Sequence, residues 1–180
     1  CIVLPSSQPI APERNQGELM REDNLEQPFH PIYNYAVVTD SVEGLILFDV
    51  NTFADGEPRN NFIERTLNWN PDGVLDGALH ATIGGHVLYI AADAGMVIVD
   101  LDEPLEPRLV AVVPMENARA SALQFRYLFV TNDSGLQVVD VTDTEQPMLL
   151  SDNTISLKDA QRVYVARTFA YVAAGSDGLV

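Results

Sequence analysis

The chain has 180 residues and is 47% hydrophobic, enough to bury a core of its own, which rules out disorder across the whole length. Its 26 acidic residues against 10 basic ones give a net charge of −16, and Lys158 is the only lysine among the ten. A surface so negative repels phosphate backbones, so nucleic acid and anionic membrane are disfavoured as partners, and cations or a basic protein face are favoured.

The first 28 residues contain Pro5, Pro9, Pro12 and Pro28 with no apolar period, and read as a linker or extended arm over residues 1–30, with a short helical turn expected over Glu18 to Glu26. Cys1 is the only cysteine, so neither an intrachain disulfide nor a cysteine-based zinc site is expected. A cysteine followed by a Pro- and Ser-rich stretch reads either as the lipidated first residue of a processed bacterial lipoprotein, with a lipid anchor at Cys1, or as the point where a fragment begins. There is no run of 18 apolar residues, so no membrane span is expected.

From Ile32 the pattern becomes regular. Tyr33, Tyr35, Val37 and Thr39 alternate with smaller residues up to the turn Asp40 to Gly44, and Leu45 to Val50 follows as a second strand. No inner strand is visible ahead of Tyr33. The same hairpin returns as Val87 to Ala92 with Met96 to Leu101, as Tyr127 to Thr131 with Leu136 to Val141, and begins again at Phe169 to Ala173 before Gly178. An Asp or Asn opens each turn and a glycine closes it, the chemistry of side-chain-stabilised turns that end at positive φ. Between the closing glycines Gly44, Gly95, Gly135 and Gly178 the spacings are 51, 40 and 43 residues. Each later hairpin is preceded by a short run (Ala78 to Ile83, Ala118 to Leu123, Ala160 to Val165), and the second and third are followed by another (Arg108 to Val113, Met148 to Ser151).

Four short strands per 40 residues predict an all-β fold, a β-propeller of four-stranded blades. The repeats fall near 33–77, 78–117, 118–159 and 160–180 within a segment 31–180, the last one cut short. About three and a half blades do not close a ring, so more chain or a neighbouring chain is expected to complete it. The first spacing is longer because of Asn51 to Gly77, which holds Trp69 and is either an inserted functional loop or a longer connection that covers the first blade.

The strand Met96-Val97-Ile98-Val99-Asp100, its copies at Gly44 to Val50 and Gly135 to Val141, and the strand Ala170-Tyr171-Val172-Ala173 resemble the LVIVD-repeat family of β-propeller proteins over about residues 33–180. That resemblance implies secreted or envelope proteins of bacteria and archaea, hence an extracytoplasmic location, and brings no shared catalytic residues with it.

Three kinds of candidate site follow. The aligned inner-strand positions His80, Ala120 and Arg162 face one side of equivalent strands, so His80 and Arg162, with Trp69 from the insert, are candidate ligand-binding residues. Asp72, Asp76, Asp93 and Asp133 gather on the turn face as a solvated acidic rim, and are the residues that would hold a calcium ion, although no D-x-D-x-D-G loop is present. The histidines His30, His80 and His86 lack zinc-site spacing, and without CxxCH there is no covalent haem, one histidine remaining available as an axial ligand to a partner's haem. Neither Ser134 nor Ser176 lies in a nucleophile elbow. The expected function is a non-enzymatic binding or scaffolding module that uses its faces for protein contact. The alternative is a hydrolase or lyase at the channel mouth.

Overall fold

In the computed structural model the described residues are 1–5, 30–50, 58–59 and 61–180. The turn expected over Glu18 to Glu26 and the start of the Asn51 to Gly77 insert lie outside them.

Among the described residues fifteen short strands form four antiparallel sheets. The first blade is β1 (Ile2–Val3), β2 (Tyr35–Asp40), β3 (Gly44–Asp49) and β4 (Glu64–Trp69), and the second is β5 (His80–Gly84), β6 (Val87–Ala92), β7 (Gly95–Asp100) and β8 (Arg108–Val113). The third is β9 (Ala120–Gln124), β10 (Tyr127–Asn132), β11 (Gly135–Asp140) and β12 (Met148–Leu149), with β13 (Ile155–Ser156) also on β11; β14 (Arg162–Ala166) and β15 (Phe169–Ala173) open the fourth. Blade architecture and the count of three and a half follow the repeat arithmetic.

The expectation that the first blade lacks an inner strand is corrected. Ile2 pairs with Val38 and Val3 with Val37, so residues from the start of the chain supply that strand, and Thr39 N–H closes on the Cys1 carbonyl. The strand expected from Tyr33 begins only at Tyr35, because Pro31–Asn34 form a 3-10 turn whose Ile32 amide donates to His30 Nδ1 at 3.1 Å. Proline at the first position and a capping acceptor ahead of it favour that turn over an extended start.

The repeated G-x-x-x-x-D strand is third in each of the first three blades and is buried on both faces at the middle of the stack. Val97 and Val99 pack toward the first blade with Val37, Leu45, Leu47, Leu88 and Ile90, whereas Met96 and Ile98 pack toward the third with Tyr89, Leu128, Val130 and Val139. Alternate side chains point to opposite faces of a sheet, so a strand with a blade on either side reads as an unbroken apolar run. That is why GMVIVD is the clearest of the copies. Gly95 opens the strand at φ +116, and a Cβ there would come within 2.3 Å of the Val113 carbonyl oxygen. Gly135 repeats this at φ +120, against the Ile155 carbonyl oxygen at 2.1 Å. Glycine is thus demanded both by the backbone angle and by the close approach of the outer strand.

A bulge also recurs. Pairing with the outer strand shifts between Leu47 and Phe48 in the first blade and at the matching step, Ile98 to Val99, in the second. In the third blade the irregularity has grown into a 3-10 turn, Ser151–Asn153, which splits the outer strand into β12 and β13.

Candidate functional site

The inner strands bring together the residues that periodicity had aligned. His80, Ala120 and Arg162 are the first residues of β5, β9 and β14, opposite Ala91, Thr131 and Ala173 respectively. Beside them lies a cavity of about 420 Å³ lined by His80, Thr82, Ser121, Tyr33, Tyr164 and Val3, among others. His80 is half-buried there, and its Nδ1 accepts the Ser121 amide at 3.2 Å. In the neutral ring the proton therefore sits on Nε2. Burial and then the nearby Arg162 charge push the imidazole down to about 4, so it is uncharged at neutral pH. Thr82 Oγ1 meets the Ser121 hydroxyl at 2.8 Å and donates to the Ser121 carbonyl at 2.9 Å. Ser121 is thus hydrogen-bonded through its hydroxyl to a threonine and through its amide to His80. No bond joins that hydroxyl to the imidazole, which is what an activated serine requires.

Trp69 lies apart from this cavity. It is the last residue of β4, pairs with Leu45, and packs half-buried on the core between the first and second blades.

On the turn face, the turn of the first blade meets the segment leading into the second through Gly77 N–H to the Ser41 carbonyl at 2.8 Å. Two of its four candidate acids, Asp76 and Asp133, are engaged locally through their carboxylates. The Asp93 amide donates to the Asp76 carbonyl at 2.9 Å, and Asp76 Oδ1 accepts from Asn70 Nδ2 at 2.8 Å. Asp133 takes both Asn117 and the Arg119 guanidinium. Asp72 sits at φ 52 inside a 3-10 turn. Asp93 and Asp133 line a cavity of about 370 Å³ together with Asn117 and Arg119, so a cation already stands among these carboxylates.

The turn chemistry departs from expectation in the second blade and again in the fourth, where Ala174 holds the opening position and makes no side-chain cap. Asp40 accepts the Val42 and Glu43 amides, which holds its carboxyl below the usual carboxylate range, and Asn132 accepts the Ser134 amide. In the second blade that position is Ala92, and Asp93 is used instead to hold the incoming segment, with Gly77 leaving room for its carboxylate.

On the opposite face, sequence reasoning missed a grouping. His30, His86 and Asp102 each place one ligand atom within 4.8 Å of the others, the only such group of three or more among the described residues. His30 Nε2 lies 3.0 Å from Asp102 Oδ1, and the two imidazoles lie 5.8 Å apart between centroids. The strand-end Asp100 accepts the Asp102 amide at 2.9 Å and pairs with Arg108 at 2.9 Å, while His86 Nε2 is 3.8 Å away. Burial opposes its ionisation, but the Asp102 amide, Arg108 and His86 outweigh this and hold its carboxyl below the usual range. The available signal was modest: His86 in a Gly-Gly-His turn, and His30 between an aromatic and a proline.

Four-stranded antiparallel sheets stacked at a 40-residue period, with inner strands lining a shared cavity, define a β-propeller repeat chain. Residues 81–113, 121–153 and 158–180 match the LVIVD repeat model. The chain belongs to the LVIVD-repeat family. The first blade lies outside these matches, consistent with its inner strand coming from residues 2–3 and its outer strand following the insert. No curated protein matches the chain.

Proposed function

We propose that the chain is a non-enzymatic binding and scaffolding module, working outside the cytoplasm, that uses its acidic turn face to hold a protein partner with a basic surface. The observation that carries this reading is that the acids of the turn face stay open to solvent, whereas the polar side chains of the inner cavity, His80, Thr82 and Ser121, are hydrogen-bonded to one another and to backbone groups. Glu43, Asp76, Asp93, Glu116, Asp133 and Asp177 are all solvent-exposed. Fields of one sign steer an oppositely charged partner and favour its association. A lipid anchor at Cys1 belongs to the same reading, and Cys1 is exposed with its α-amino group donating to the Thr39 carbonyl at 3.0 Å. Completion of the ring by more chain or by a neighbour belongs to it as well.

A hydrolase or lyase reading draws on one specific observation, the neutral His80 beside Ser121 and Thr82 in the inner cavity. The two readings separate in one experiment. Photo-crosslinkers at positions 42 and 94 are expected to capture a basic protein from the envelope fraction, equally well in the His80→Ala/Arg162→Ala double variant. A hydrolytic or lyase turnover of the parent chain that disappears in the double variant would replace the binding reading.

A further inference from the structure

We propose that His30, His86 and Asp102 form a binding site for a zinc-type divalent ion that fastens the first blade to the second.

The three groups come from different places in the chain. His30 caps the 3-10 turn leading into β2 of the first blade, His86 lies in the β5–β6 turn, and Asp102 follows β7. Their ligand atoms all fall within 4.8 Å of one another, close enough to share one ion. Two imidazoles and one carboxylate make a donor set for zinc or a neighbouring transition ion, with water filling the remaining position. Calcium, which takes six to eight oxygens, is poorly matched.

A comparison within the molecule argues that these side chains are not demanded by the blade. In the third blade the places of His86 and Asp102 are held by Arg126 and Thr142. The backbone there is the same: Val141 N–H donates to the Arg126 carbonyl at 2.8 Å, as Leu101 N–H does to the His86 carbonyl at 2.8 Å. The strand-end aspartate also works alike, Asp140 accepting the Thr142 amide at 2.9 Å as Asp100 accepts that of Asp102. The scaffold therefore closes this turn without histidine or a second acid, and the pair in the second blade is free to serve a ligand.

Coordination through His30 Nε2 has a defined consequence. At present Nδ1 accepts the Ile32 amide, so Nε2 bears the proton it shares with Asp102. An ion on Nε2 displaces that proton, and the neutral ring then carries its hydrogen on Nδ1, which ends the Ile32 bond. Zinc binding is thus written into the turn ahead of β2 as well as into the three side chains. Because the ligands join two blades, an ion that binds only the folded state also raises the unfolding temperature.

The test is calorimetric titration of ZnCl2 into the full chain in a non-chelating buffer, followed by thermal unfolding. Saturable binding of one equivalent is expected, weakened about tenfold or more in both His86→Ala and Asp102→Asn, as loss of a metal-site partner commonly does. Glu106→Gln, which removes a charge from the same loop as Asp102 but no ligand, is expected to keep the parent affinity, and the Ile32 amide resonance is expected to move with zinc. The proposal is overturned if zinc gives no saturable binding, if His86→Ala and Asp102→Asn bind as the parent does, or if Ile32 is unmoved at saturation.

Discussion

The second blade and the hairpin that opens the fourth hold the same strands in different surroundings. Tyr89 and Tyr171 occupy one repeat position, each two places ahead of the alanine (Ala91 or Ala173) opposite the first inner-strand residue. Tyr89 is 4% exposed against the third blade, and its phenol is pushed up by that burial. Tyr171 is 41% exposed, edged by Tyr164 and Phe169. The repeat pattern sets the strand, and the neighbour sets the burial. Stability in such a stack is accordingly a sum of blades and of interfaces between adjacent blades.

The sharpest way to break this comparison is to truncate the matched tyrosines. Tyr89→Ala is expected to cost about 3–4 kcal/mol, the range for emptying a buried aromatic site, and Tyr171→Ala less than about 1 kcal/mol for as long as no further blade covers it. Urea midpoints measure both, and equal losses would show that position rather than neighbour decides. Next comes a pair of glycines. Gly95→Ala meets the Val113 carbonyl oxygen in addition to the positive φ, for an expected loss of about 2–3 kcal/mol, whereas Gly178 has open space around it and only its φ of +77, for about 1 kcal/mol.

The last comparison concerns His80 and Arg162, which share an inner-strand position in the second and fourth blades. His80 folds with a value of about 4 against an ordinary 6.5, so the unfolded chain takes up the proton first. Stability is then full above about pH 6.5, declines as pH falls toward 4, and changes no further from this group below that. The decline is about 1–2 kcal/mol after discounting for partial exposure. His80→Gln should flatten the slope, and Arg162→Ala should move the titration upward, as followed by urea unfolding between these pH values and by imidazole NMR.

Repeat period, hairpins and closing glycines were readable because each is local: two β-rich runs a few residues apart, joined by residues that tolerate positive φ. So was the alignment of His80 with Arg162, since equivalent positions in a repeat face the same way. Strand β1 was not readable, because Ile2 and Val3 show no period and acquire their role only by lying beside Val38 and Val37. The split outer strand of the third blade escaped notice for a similar reason, Ser151–Asn153 being an irregularity within a run that looks continuous. His30, His86 and Asp102 are scattered in sequence and are joined by a capping turn and two loops of neighbouring blades. Spacing rules for metal sites assume one helix or one hairpin, so they pass over a set of this kind.

The origin of β1 also bears on how the molecule assembles. Hairpins such as β6–β7 and β10–β11 close over a few residues and form early, whereas joining Ile2 to Val38 has to bring together the ends of a much longer span of chain. The first blade is therefore expected to be the last of the three to be completed, leaving β2 with an unpaired edge until then. A two-residue strand on a long lead is also the element most readily exchanged between molecules, which makes protein concentration during refolding a determinant of whether this blade is closed by its own chain or by another.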